Sequence, residues 1–105
     1  MYDLNVIARE HLAAARDSEH GRSANLVLRA RPLRQTVIAL VAGVSLDEHN
    51  APPAASLQVL RGTVRVTFAA EEVELSAGAL YLIPPERHGL TAVTDAAVLL
   101  TAVND

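Results

Sequence analysis

The stretch GVSLDEHNAPPAASLQVLRG, residues 43–62, places His49 six positions after Gly43 and closes an apolar run on Gly62. An imidazole in such a place can ligate a metal, move a proton or hydrogen-bond a ligand. The chain carries four histidines, His11, His20, His49 and His88, and no cysteine. Thiolate nucleophiles, disulfides and cysteine metal sites are therefore excluded together. His11 and His20 fall in an N-terminal helical segment and read as exposed side chains; a protonated His20 near the helix end would favour its dipole. Ser23 and Ser56 have no base beside them and no G-x-S-x-G elbow, which leaves serine hydrolase chemistry without support. The run Glu71, Glu72, Glu74 reads as a solvated hairpin tip rather than the paired carboxylates of a glycosidase. Arg22, Arg29, Arg31 and Arg34 have the chemistry to clamp a carboxylate or phosphate. Arginines this dense, before and along an edge strand, read instead as solvated charges or interface pairs.

The charge pattern narrows the partners. Net charge is -3, all nine basic residues are arginine, and six of them lie between Arg9 and Arg34, whereas Glu71, Glu72, Glu74 and Glu86 come later. Such polarity suits a self-complementary contact between subunits, and it lacks the strong basic surface of a phosphate-backbone binder, so no nucleic-acid partner is expected. The first residues, MYDLNVIAREHLAAARDSEHGR, are charged and broken by polar groups, unlike a secretory signal or a membrane span. A cytoplasmic protein without a membrane partner is the expectation.

The elements that must position these residues follow from periodicity. Good helix formers run from Asn5 to about Ser18, Asp3 or Asn5 can cap the start, and Gly21 stops it. Leu4, Ile7 and Leu12 form only a thin apolar stripe, so this helix should pack outside the core. After it come short runs rich in Val, Ile, Leu and Thr: Asn25–Leu28, Leu33–Val41, Ser45–His49, Ser56–Arg61, Thr63–Phe68, Val73–Leu75, Leu80–Ile83, His88–Thr94 and Ala96–Val103. Alternation is clear from Val64 to Phe68 and from Glu72 to Leu75. Leu33–Val41 and Ala96–Val103 are apolar on both faces and belong in the middle of sheets or against another subunit. With 50% apolar residues and only 3% aromatic, the core is built from aliphatic side chains. Little room remains for crossover helices, so the expected architecture is all-β, a jelly-roll barrel of two antiparallel sheets. Residues 1–24 form the helix and arm, and 25–105 the barrel.

At residues 43–88 the sequence resembles the cupin superfamily. The first cupin motif reads G, five residues, H-x-H, three or four residues, E, six residues, G; Gly43, His49 and Gly62 fit it. The second reads G, five residues, P-x-G, two residues, H; Gly78 and Pro84 fit its start, and His88 lies one residue short of its histidine. The resemblance implies a jelly-roll barrel in which these motifs bring histidines and a glutamate onto a divalent metal. Here Ala51 stands in place of the second histidine and Ala55 in place of the glutamate. Two imidazoles without a carboxylate make a weak divalent site. The reading that follows is a small-molecule-binding barrel with no cofactor, its pocket lined by His49, His88, Leu57 and Val59. Its alternative is a metal-dependent cupin enzyme of dioxygenase or isomerase type, with a divalent ion on His49 and His88; a structural or regulatory module using the outer sheet is a third. Cupins of this size commonly pair through their sheets, so a homodimer is expected, with Leu33–Val41 the segment to watch.

Overall fold

In a computed structural model describing residues 1–104, one helix precedes nine strands; residue 105 of the expected barrel lies outside this description. Helix α1 (Leu4–Asp17) starts where the Asp3 side chain accepts hydrogen bonds from the backbone N–H groups of Asn5 (3.0 Å) and Val6 (3.3 Å). A carboxylate there satisfies donors that the first turn leaves orphaned. The helix buries Ala8, Leu12 and Ala15 rather than a stripe of large side chains. Small residues bring its axis close to the strands beneath. It is not long and apolar enough to cross a membrane.

The strands are β1 (Arg22–Ala30), β2 (Leu33–Leu40), β3 (Ser45–His49), β4 (Ala54–Arg61), β5 (Thr63–Thr67), β6 (Glu72–Ser76), β7 (Leu80–Leu82), β8 (His88–Ala92) and β9 (Ala96–Val103). They form a five-stranded sheet in the order β1-β2-β9-β4-β7 and a four-stranded sheet in the order β3-β8-β5-β6, all pairings antiparallel. The architecture is the all-β jelly roll with a short N-terminal helix. The first strand is longer than expected from Asn25–Leu28, because its hairpin with β2 pairs from Arg22 opposite Leu40 to Ala30 opposite Leu33.

Alternation assigns each strand two faces. Leu40, Ala96, Val98 and Val59 from one sheet meet Val64, Val66, Leu90 and Ala92 from the other in the interior core. On the outer face of the five-stranded sheet, Ala39 and Ala97 pack with Ala8, Leu12 and Ala15 of α1. The apolar character of β2 and β9 on both faces is thus accounted for within the chain: barrel interior on one side, helix on the other. Gly62 is the corner between β4 and β5, which lie in different sheets. Its φ is +74°, and a Cβ there would run into the carbonyl oxygen of Asp95 and lie 2.7 Å from Thr94 Oγ1. Only glycine fits both demands.

The interior side chains form rows across the five-stranded sheet. Ile38, Val98 and Val59 are successive register partners; one step outward lie Thr36, Leu100, Leu57 and Tyr81; the outermost row is Arg29, Arg34, Ala102 and Ala55. Large aliphatic groups therefore close one end of the barrel. The other end opens between small and polar ones.

Candidate functional site at the open end of the barrel

Two adjoining irregularities bring His49 and His88 together. Along β3, Leu46 pairs with Leu90 and His49 with His88, so Asp47 and Glu48 occupy the space opposite Gly89 alone. This bulge reverses the alternation, turning His49 to the interior face that Leu46 already occupies. On β8, His88, Leu90 and Ala92 face inward, while position 89 faces out. A Cβ on Gly89 would stand 2.9 Å from Thr67 Oγ1 and 3.1 Å from the Leu46 carbonyl oxygen. His88 thus takes an inward strand position despite the second motif's one-residue shortening, and the residue after it must be small.

The two rings meet edge to face, with centroids 4.5 Å apart and planes at 61°. His88 is 5% exposed, whereas His49 stands at the rim and is exposed. Phe68 flanks His88 at 6.1 Å between centroids. His88 Nδ1 lies 2.9 Å from the Glu86 carbonyl oxygen, and His49 Nδ1 lies 3.2 Å from the Asp47 carbonyl oxygen. A carbonyl oxygen only accepts, so in each ring Nδ1–H donates and the neutral ring presents a lone pair at Nε2. The pair offers two acceptor nitrogens fixed in tautomer by their own strands.

The space around the pair has two parts. A pocket of about 30 Å³ is lined by His49, His88, Leu57, Ile38, Val66 and Leu100, among other apolar groups. It has room for about one water. Outside it, sharing His49 and Leu100, lies a cleft of about 350 Å³ that also takes in Arg34, Thr36, Asn50 and Ala102. Of the residues expected to line a pocket, His49, His88 and Leu57 come together; Val59, 1% exposed, belongs to the core one row deeper and does not reach the space. Arg34, Thr36 and Asn50 are the additions. From the sequence Arg34 reads as a solvated or interface charge, and Thr36 and Asn50 become rim residues only once β2 and β3 border the cleft. Tyr81 packs on the interior side, where burial first, and then the carboxylates of Glu71 and Glu86, raise its phenol above the ordinary value.

The donor set falls short of the divalent-metal site that the fold family implies. Among the described residues no group of three or more His, Cys, Asp or Glu side chains converges. Glu48, next to His49 in the bulge, lies 4.0 Å from Arg87 Nε in an exposed ion pair. Ala55 and Ala51 carry no donor. Two imidazoles alone leave most of a divalent ion's coordination to water. His11 is engaged elsewhere, 2.7 Å from Ser23 Oγ between α1 and β1, and His20 is exposed after the helix.

No family model matches the chain, and no curated protein does. Among solved structures, it is similar to a cupin superfamily protein from Desulfitobacterium hafniense, with a TM-score of 0.74, 14% identity, and coverage of 80% of this chain and 78% of that one. It is similar also to an RmlC-like cupin protein from Desulfovibrio desulfuricans, with a TM-score of 0.71, 24% identity, and coverage of 78% and 81%. KdgF from Halomonas sp. superposes with a TM-score of 0.70 at 22% identity over 85% of this chain and 86% of that one. The chain is a small protein of the cupin fold.

Proposed function

We propose that this cupin-fold protein binds a small organic molecule at the open end of its barrel, with His49 and His88 as hydrogen-bonding groups and without a full metal site. The observation that carries the reading is the histidine pair itself: two Nε2 acceptors at the junction of an apolar pocket of about 30 Å³ and a polar-rimmed cleft of about 350 Å³. The inner pocket is too small for an organic ligand, so the molecule sits in the cleft and reaches inward with one group. Hydroxyl or amide donors suit the two lone pairs. Binding rather than oxygen chemistry fits a donor set of two imidazoles.

The homodimer expected from the sequence would use a face other than the apolar part of β2, since Val37 to Leu40 is already covered by the barrel and α1. The test of the binding reading is a fragment screen followed on the imidazole ¹⁵N and ¹H signals. Binders are expected to shift His49 and His88 together and to lose affinity in His88→Ala. Binders that leave both rings unmoved would overturn it.

A further inference from the structure

The outermost interior row contains an electrostatic conflict. Arg29 and Arg34 are direct register partners on β1 and β2, so their side chains leave the same face of the sheet. Like charges directly opposite one another destabilise a sheet. Arg16 meets Asp95, Arg65 meets Glu72 and Glu74, and Arg87 meets Glu48, whereas Arg9, Arg22 and Arg61 have no ion pair among the described residues. Among the described residues no ion pair uses Arg29, Arg31 or Arg34, although all three line one cleft of about 580 Å³ at the β1–β2 turn.

This cleft adjoins the site. Arg34 and Asn104 line both it and the cleft of His49, and His49 in turn lines the inner pocket of His88. The backbone N–H of Asn104 donates to the Pro32 carbonyl oxygen at 3.1 Å, holding Asn104 against the turn that carries the arginines. Beyond Arg34 the same row continues with Ala102, whose small side chain lines the cleft of His49, and then with Ala55, which is packed into the core. Ala55 is the position where the family motif has its glutamate. With alanine there, that position supplies no carboxylate to the row of Arg34.

We propose that the molecule bound at the open end is a hydroxy-carboxylate, its carboxylate held by Arg34 and Arg29 and its hydroxyl directed to His49 and His88. The inference rests on the binding role proposed above and names the ligand class. A guanidinium fork matches a carboxylate with two parallel hydrogen bonds, and the planar group needs no metal to do so. The alanine and leucine side chains between arginines and histidines suit a carbon skeleton, which a bare inorganic anion lacks.

The experiment is calorimetric titration, in low-chloride buffer, with L-malate, succinate, neutral malamide and inorganic phosphate, alongside the imidazole NMR signals. Malate is expected to bind best of the four and to shift both histidines. Arg34→Gln should weaken it by about tenfold to a hundredfold, the loss of a charge-assisted pair. Succinate should bind more weakly than malate and lose little in His49→Gln. Without ligand, Arg29→Gln should raise the Tm by about 1–5 °C, because the like-charge pair is relieved. Malate that shifts the histidines with undiminished affinity in Arg34→Gln would overturn the carboxylate assignment and leave the barrel reading standing. Malate or phosphate binding that depends on Arg34 but moves neither histidine would reduce the arginines to a surface anion patch, overturning the proposal and counting against the barrel reading. Absence of binding by all four probes at millimolar concentration would overturn the assignment.

Discussion

The two ends of the barrel are made from the same strands and obey opposite rules. At the closed end, Leu40, Ala96, Val64 and Ala92 are each no more than 1% exposed, and the space is filled by aliphatic groups from both sheets. At the open end, four to six residues further along β2, β9 and β8, the inward positions are Arg34, Ala102 and His88, with His49 of β3 beside them. Alternation decides only which face a side chain takes. Whether an inward position is core or site depends on which row it occupies, and rows are set by pairing between distant strands.

The contrast is sharpest in a substitution that changes volume. Leu40→Ala should cost about 2–5 kcal/mol, since it opens a cavity among fixed neighbours. Ala102→Leu at the mouth should change stability by less than about 1 kcal/mol, because its added bulk enters open space, and should abolish ligand binding. Urea unfolding of both variants checks the pair; equal costs would erase the distinction between ends.

A smaller difference separates the two histidines. His88→Ala leaves the Glu86 carbonyl oxygen without its donor and vacates a buried site, so a loss of about 1–3 kcal/mol is expected. His49→Ala removes an exposed ring and should stay within about 0.5 kcal/mol. The same unfolding curves report both. A larger cost at His49 would mean that the bulge depends on its imidazole.

The smallest effect lies beside the closed end and has a pH signature. Asp95 accepts from the Ala42 N–H at 2.9 Å and pairs with Arg16 at 2.9 Å, tying α1 and the loop after β2 to the β8–β9 turn. The Ala42 hydrogen bond foremost, then the bond from Arg16, hold its carboxyl below the ordinary carboxylate value. A depressed folded pKa contributes stability that is complete above the unfolded value, about 3.9, and is lost as pH falls through the folded value. The Tm advantage of the parent over Asp95→Asn should therefore be constant near neutrality and shrink only below about pH 4. An advantage that vanished between pH 5 and 7 would assign the titration to another group.

Much of the fold was legible because it rests on local chemistry. Asp3 and Gly21 bound the helix, and apolar runs broken by glycine and proline mark the strands close to their observed ends. The helix on the outer sheet was also legible, although its contact uses Ala8 and Ala15 rather than Leu4 and Ile7. Less of the site could be seen. The inward turn of His49 depends on a bulge opposite Gly89, a property of the β3–β8 pairing and not of either strand alone. The inward turn of His88 follows from β8 alternation once its register is known. The meeting of Arg29 with Arg34 requires the register shift between Leu26 and Leu28, which no periodicity in β1 reveals. Both arginines are exposed, as solvated charges on an edge strand are expected to be, and that Arg34 also borders the cleft of His49 follows only from the register.

Metal content tests the central claim most directly, because the account requires an organic-ligand site in which two imidazoles act as hydrogen-bonding groups. Untagged protein, purified without chelator and incubated with iron, zinc, manganese, nickel and copper, would be desalted and measured by elemental mass spectrometry beside His49→Ala and His88→Ala. The account predicts less than about 0.1 equivalent of any metal per chain in all three proteins, as expected for a two-imidazole donor set. Near-stoichiometric metal in the parent, lost in both variants, would contradict it and give the site back to metal chemistry.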